Sequence, residues 1–129
     1  MGFHVIRPDD TVWEARPNQE GQIRRVADLT AAGGLTQSRA RIWLYPPHAR
    51  GRRHKEGVQE EVFIVLAGTL TMLLGDPPER FELPPQSVVT VAPGTGLQMR
   101  NESDDEVVVF AYGAPPVTGQ AEYLDDVDL

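Results

Sequence analysis

Proline and glycine constrain what this chain is able to become. Eleven prolines and twelve glycines are spread along 129 residues. They cut the sequence into short segments and leave little room for long helices. Inside the segments the residues alternate with a period of two. Arg39, Arg41, Trp43 and Tyr45 fall on one face, and Ala40, Ile42 and Leu44 on the other. Pro46 and Pro47 then stop the run.

Applied along the whole chain, the same reading predicts about nine short strands. They cover residues 3–7, 22–28, 39–45, 61–67, 69–74, 79–83, 87–91, 97–101 and 107–112. Residues 9–14 are expected to form one helical turn, ended at Pro17 and Asn18. Loops are expected at 31–34 and 47–60. Many short strands with frequent turns imply an all-β antiparallel sandwich or barrel. Length and composition fit one domain spanning 1–129, with a barrel core at about 38–112, an N-terminal arm at 1–30 and an acidic tail at 117–129. The tail is expected to be loosely held or packed on the outside.

Charge narrows the choice of partner. The net charge is −7 and the pI about 4.8. A duplex nucleic-acid ligand needs a basic face, so none is expected. An anionic membrane surface is disfavoured for the same reason. The absence of cysteine removes thiolate metal sites, disulfides and thiol nucleophiles. No apolar run reaches the roughly 20 residues of a spanning helix. The first residues have no basic start, apolar core or cleavage site, so a soluble cytoplasmic protein is expected.

Chemistry concentrates in residues 54–61. His54, Glu56, Glu60 and Glu61 stand directly before the apolar run at 62–67, which Gly68 closes. Polar ligand-type residues feeding into a buried strand suit a site at the mouth or inside of a barrel. His54 and Glu56 are two residues apart, so an extended backbone points both the same way. With Glu61 they can hold a divalent ion on one face, leaving positions open for water or substrate. Two other readings stand beside this one. His54 with Glu56 or Glu61 can act as a metal-free acid/base pair, or serve only as a structural ion pair near the barrel mouth.

The spacing in this stretch resembles the cupins, small jelly-roll β-barrels. Their first motif runs Gly, five residues, His, one residue, His, three or four residues, Glu, six residues, Gly. His54, Glu61 and Gly68 match it, while Glu56 stands at the second His position and His48 at the opening Gly. In the second motif Gly94 and Asn101 match. Gln86 replaces the opening Gly, Ala92 the Pro (with Pro93 beside it) and Leu97 the His. The resemblance covers residues 38–112 and implies a single-domain cupin barrel.

In that family two His and a Glu of the first motif, plus the His of the second, bind one metal. Carried over, the resemblance implies His54 and Glu61 as ligands and catalytic candidates, with Glu56 as a substituted ligand. Leu97 supplies no donor. The implied cofactor is a divalent ion (Mn, Fe, Ni or Zn), with a metal-free protein as the alternative. The implied functions are an oxygenase, isomerase or cyclase on a small organic molecule, or a non-catalytic cupin that binds a ligand or a protein. Trp43, Tyr45, Leu97 and Met99 are the expected pocket lining.

Arg50, Arg52, Arg53 and Lys55 read first as a charged loop balancing Glu56, Glu60 and Glu61. The alternative is that they attract an anionic ligand. Gln59 and Gln98 are weak oxygen donors near the site, and Gln98 alternates away from Leu97. His4 and His48 are read as surface or loop residues. A homodimer is expected, through the apolar strand at 107–110 and an N-terminal segment crossing between subunits.

Overall fold

The computed structural model describes residues 2–17, 22–116 and 121–129. The expected turn end at Asn18 and the first tail residues, 117–120, lie outside them.

The strands, in chain order, are β1 (Glu14–Pro17), β2 (Ile23–Asp28), β3 (Arg39–Tyr45), β4 (His54–Lys55), β5 (Glu60–Ala67) and β6 (Leu70–Leu74). They continue with β7 (Glu79–Leu83), β8 (Val88–Val91), β9 (Leu97–Arg100), β10 (Val107–Ala114) and β11 (Glu122–Tyr123). A single helical turn, α1 (Leu29–Ala32), follows β2. Two sheets result, all antiparallel: β1-β2-β3-β10-β5-β8 and β11-β4-β9-β6-β7. This is the all-β antiparallel architecture expected, two sheets that do not close strictly into a barrel.

The core lies between the sheets. Val65, Leu70, Met72, Val107 and Val109 are almost wholly buried there. Each such side chain contributes about 1.5–3 kcal/mol through the apolar surface it removes from water. Gly68 makes the β5–β6 connection possible. It has φ +76°, and a Cβ there would collide with the Glu106 carbonyl oxygen. Backbone angle and space both demand glycine.

Several expectations are corrected. Residues 3–7 form no strand, and at the end of that segment local side chains take up the Arg7 backbone. Arg7 N–H donates to Asp10 Oδ2 at 3.0 Å, and Thr11 Oγ1 donates to Arg7 O at 3.1 Å. The short helix at Pro8–Asp10 follows, and β1 takes part of the segment expected as a turn. Pro17 is tolerated because β1 is an edge strand. The expected loop at 31–34 begins inside α1, which Asp28 caps by accepting from Thr30 N–H at 3.0 Å. The strand at 107–110 is central, between β3 and β5, and Val107 and Val109 face the core. It is therefore no exposed docking strand.

Candidate metal centre and its cavity

His54, Glu56 and Glu61 come together. One ligand atom from each lies within 4.8 Å of the others. Three pieces of backbone fix this. β4 pairs with β9 at His54↔Leu97 and with β11 at His54↔Tyr123. The carbonyl of Glu56 accepts from Gly94 N–H at 2.7 Å, so a glycine matched in the second motif anchors a residue of the first. Glu61 sits on β5 between Val91 of β8 and Gly113 of β10. At Gly113 a Cβ would meet the Gln59 side chain at 2.5 Å, so glycine lets Gln59 pack there.

The tautomer of His54 is set by a neighbour. Its Nδ1 lies 2.9 Å from the carbonyl oxygen of Arg52. A carbonyl only accepts, so Nδ1 carries the hydrogen. In the neutral ring Nε2 then holds the lone pair, and this is the nitrogen 3.9 Å from Glu56 Oε1. That separation is too long for a hydrogen bond. An imidazole whose second nitrogen is held by a carbonyl is the usual outer-sphere support of a metal-binding His.

Glu61 is 4% exposed, and its Oε1 is buried without a hydrogen-bond partner. Burial, then the charge of Glu56, pushes its carboxyl up to about 7, against the pull of Arg41 and Arg39. The donors therefore include an orphaned carboxylate oxygen, a neighbouring carboxylate and an imidazole with its lone pair free of hydrogen. A divalent ion satisfies all three, so the residues fit a metal.

The three stand at the wall of a cavity of about 460 Å³. Trp43, Tyr45, Leu97 and Met99 all line it. The face of β3 that holds Trp43 and Tyr45 thus points inward and carries Arg39 and Arg41 with it. Trp43 and Tyr45 meet edge to face, with centroids 5.9 Å apart. Arg16 of β1, Arg24 of β2, Phe63, Gly51 and Arg52 complete much of the remaining wall, with Ala121 and Tyr123 from the tail.

Arg16, Arg24, Arg39 and Arg41 are not recognisable as cavity residues in the sequence. The signal was present in the alternation of β3, but pattern alone does not say which face is inner. Of the four loop cations only Arg52 lines the cavity, stacked 3.8 Å from the Tyr123 ring. Arg50 pairs with Asp126, Arg53 with Asp76 and Lys55 with Glu122. Gln98 donates to Gly51 O at 2.8 Å on the opposite face of β9 from Leu97. Gln59 donates to Pro115 O, and neither glutamine lines the cavity. His48 faces Asp104 at the surface.

Asn101, the last matched residue of the second motif, has an architectural task. Its Nδ2 donates to the carbonyls of Tyr45, Pro46 and Asp105. The acidic tail packs along the outside of the smaller sheet. Buried Arg100 donates to Leu129 O at 2.7 Å and Val127 O at 2.9 Å, and Arg53 donates to Asp125 O at 3.0 Å.

Comparison with solved structures gives the same architecture. A sugar phosphate isomerase of the cupin superfamily from Silicibacter pomeroyi superposes with a TM-score of 0.72 at 21% identity, covering 85% of this chain and 74% of that one. The polyketide cyclase RemF from Streptomyces resistomycificus gives 0.78 at 14% identity, covering 96% and 87%. A predicted oxalate decarboxylase from Thermotoga maritima gives 0.71 at 16%, covering 86% and 98%. No curated protein matches the sequence. The family model described as a cupin domain matches residues 41–112, more than half of the chain. The chain belongs to the cupin family.

Proposed function

We propose that this cupin is a divalent-metal-dependent enzyme of the isomerase or cyclase kind, acting on a small organic molecule in the cavity. The carrying observation is the convergence of His54 Nε2, Glu56 and Glu61 around an orphaned, buried carboxylate oxygen. A bound ion would supply Lewis-acid polarisation of a substrate oxygen. The chain's own groups do the rest. The Arg52 carbonyl holds the proton on Nδ1 of His54 and keeps Nε2 aimed at Glu56. Tyr45 accepts from Arg24 Nη1 at 3.2 Å, and burial raises its phenol against the pull of Arg24. Its hydroxyl thus keeps its proton and can donate it to a substrate oxygen. Trp43, Phe63, Leu97 and Met99 give the molecule an apolar wall and limit water. Similarity to an isomerase and a cyclase supports the choice of reaction class.

A second reading rests on Leu97. It lies opposite His54 and replaces the family's fourth ligand with an apolar side chain. A metal-free binding module follows from that. Metal analysis of the purified protein separates the two. The enzyme reading expects about one ion per chain, lost in His54→Ala and Glu61→Ala. Protein that takes up no ion even from added Mn, Fe, Ni or Zn salts leaves the binding module.

We also propose a homodimer. Phe3, Val5, Val12 and Ile23 in the N-terminal segment are each at least half exposed. That much apolar surface on one segment suits burial against a second copy.

A further inference from the structure

Five arginines line one cavity of a chain whose net charge is −7. Among the described residues, the carboxylates in that wall are only Glu56 and Glu61. The cavity is cationic before any metal enters, and a divalent ion would make it more so. Such a wall in a protein of opposite overall sign calls for an anion.

Two of the guanidinium groups are built into the wall. Arg24 and Arg41 sit with their Cζ atoms 5.0 and 5.7 Å from the Trp43 ring centroid. Arg24 also donates to Tyr45 OH. Nε of both is buried and has no hydrogen-bond partner. Neither group hydrogen-bonds a carboxylate among the described residues. The Nε edge of a guanidinium offers two parallel N–H donors, a fork matched to two oxygens of a carboxylate or phosphate. Burial, then the charge of Arg39, pushes Arg41 below its ordinary range, against the pull of Glu61, Asp28 and Glu56.

We propose that Arg24 and Arg41, flanking Trp43, form a subsite for the anionic head group, carboxylate or phosphate, of the molecule presented to His54, Glu56 and Glu61. The orientation toward those three rests on the reading above; the capture of the anion does not. The loop cations 50, 53 and 55 take no part, since they are paired with the tail and with Asp76.

The test uses the full chain, stripped of metal, carrying Trp13→Phe so that Trp43 is the one tryptophan left to be excited selectively over the tyrosines. Benzoate, inorganic phosphate and neutral benzamide are titrated in turn. Saturable change with benzoate, phosphate or both, and none with benzamide, is expected. A response to benzoate alone marks a carboxylate ligand, and to phosphate alone a phosphate ester. Arg41→Met and Arg24→Met should each weaken binding at least tenfold. If a methionine variant does not fold, Arg41→Lys, which keeps the charge but lacks the fork, should still weaken it severalfold. No saturable response, equal response to benzamide, or unchanged affinity in the arginine variants overturns the proposal. Anion binding in a protein that never takes up metal defeats the enzyme reading and leaves the subsite standing; the reverse result defeats the subsite alone.

Discussion

The metal-free protein should lose stability as pH rises, and Glu61→Gln should abolish that loss. Glu61 holds its proton up to about 7 in the fold, against an ordinary value of 4.5. Between those values the folded chain binds one more proton than the unfolded chain, so stability falls with rising pH and levels off above about 7. At roughly 1.4 kcal/mol per pH unit, ionising this carboxyl costs the folded state about 3 kcal/mol. The amide that replaces it cannot ionise and keeps nearly the same shape. Urea denaturation in a chelator at pH 5, 6, 7 and 8 measures the effect, with the difference between the two proteins cancelling other titrations. Glu61→Gln should come within about 1 kcal/mol of the parent at pH 5 and exceed it by about 3 kcal/mol at pH 8. Mn²⁺ at a hundred times its Kd should then return about 2.7 kcal/mol to the parent alone. Parallel pH curves for the two proteins would refute the reasoning, for they would mean that Glu61 is already neutralised by a partner in the fold.

Further outcomes follow from other positions. Leu97→His should raise metal affinity tenfold or more by calorimetry, because Leu97 lies in register with His54 on the cavity wall; unchanged affinity would mean that the wall has drifted from the ligand position. Arg100→Met should cost about 2–4 kcal/mol in chemical denaturation, since it strands the carbonyls of Val127 and Leu129 and frees the tail. Gly68→Ala should cost at least about 2 kcal/mol, from the left-handed backbone and the clash with the Glu106 carbonyl. Sedimentation should give twice the 14.3 kDa chain mass; a single-chain mass refutes the homodimer.

Most strands were legible because alternation and breakers are local. Residues 39–45 and 79–83 carry their boundaries in the proline pairs that follow them. The N-terminal segment was not legible, because Asp10 and Thr11 hydrogen-bond the Arg7 backbone and compete with strand pairing. The two-residue strands β4 and β11 were also invisible. Their pairing depends on a tail held by Arg53 and Arg100, far away in sequence. The nearness of His54, Glu56 and Glu61 followed from spacing and resemblance. The cationic wall did not follow, since the period of β3 assigns Arg39, Arg41, Trp43 and Tyr45 to one face without saying that the face is inner. A charged face on a strand is ordinarily turned to water. Here Trp43 and Tyr45 bring the arginines inward with them.

The central claim is that a metal is held by one imidazole and two carboxylates. Pulsed electron paramagnetic resonance of the Mn²⁺-loaded protein reads the ligand nitrogens directly. One ¹⁴N coupling, lost in His54→Ala and kept in Glu56→Gln, is the predicted result. A spectrum without nitrogen coupling, or one unchanged by His54→Ala, would contradict it.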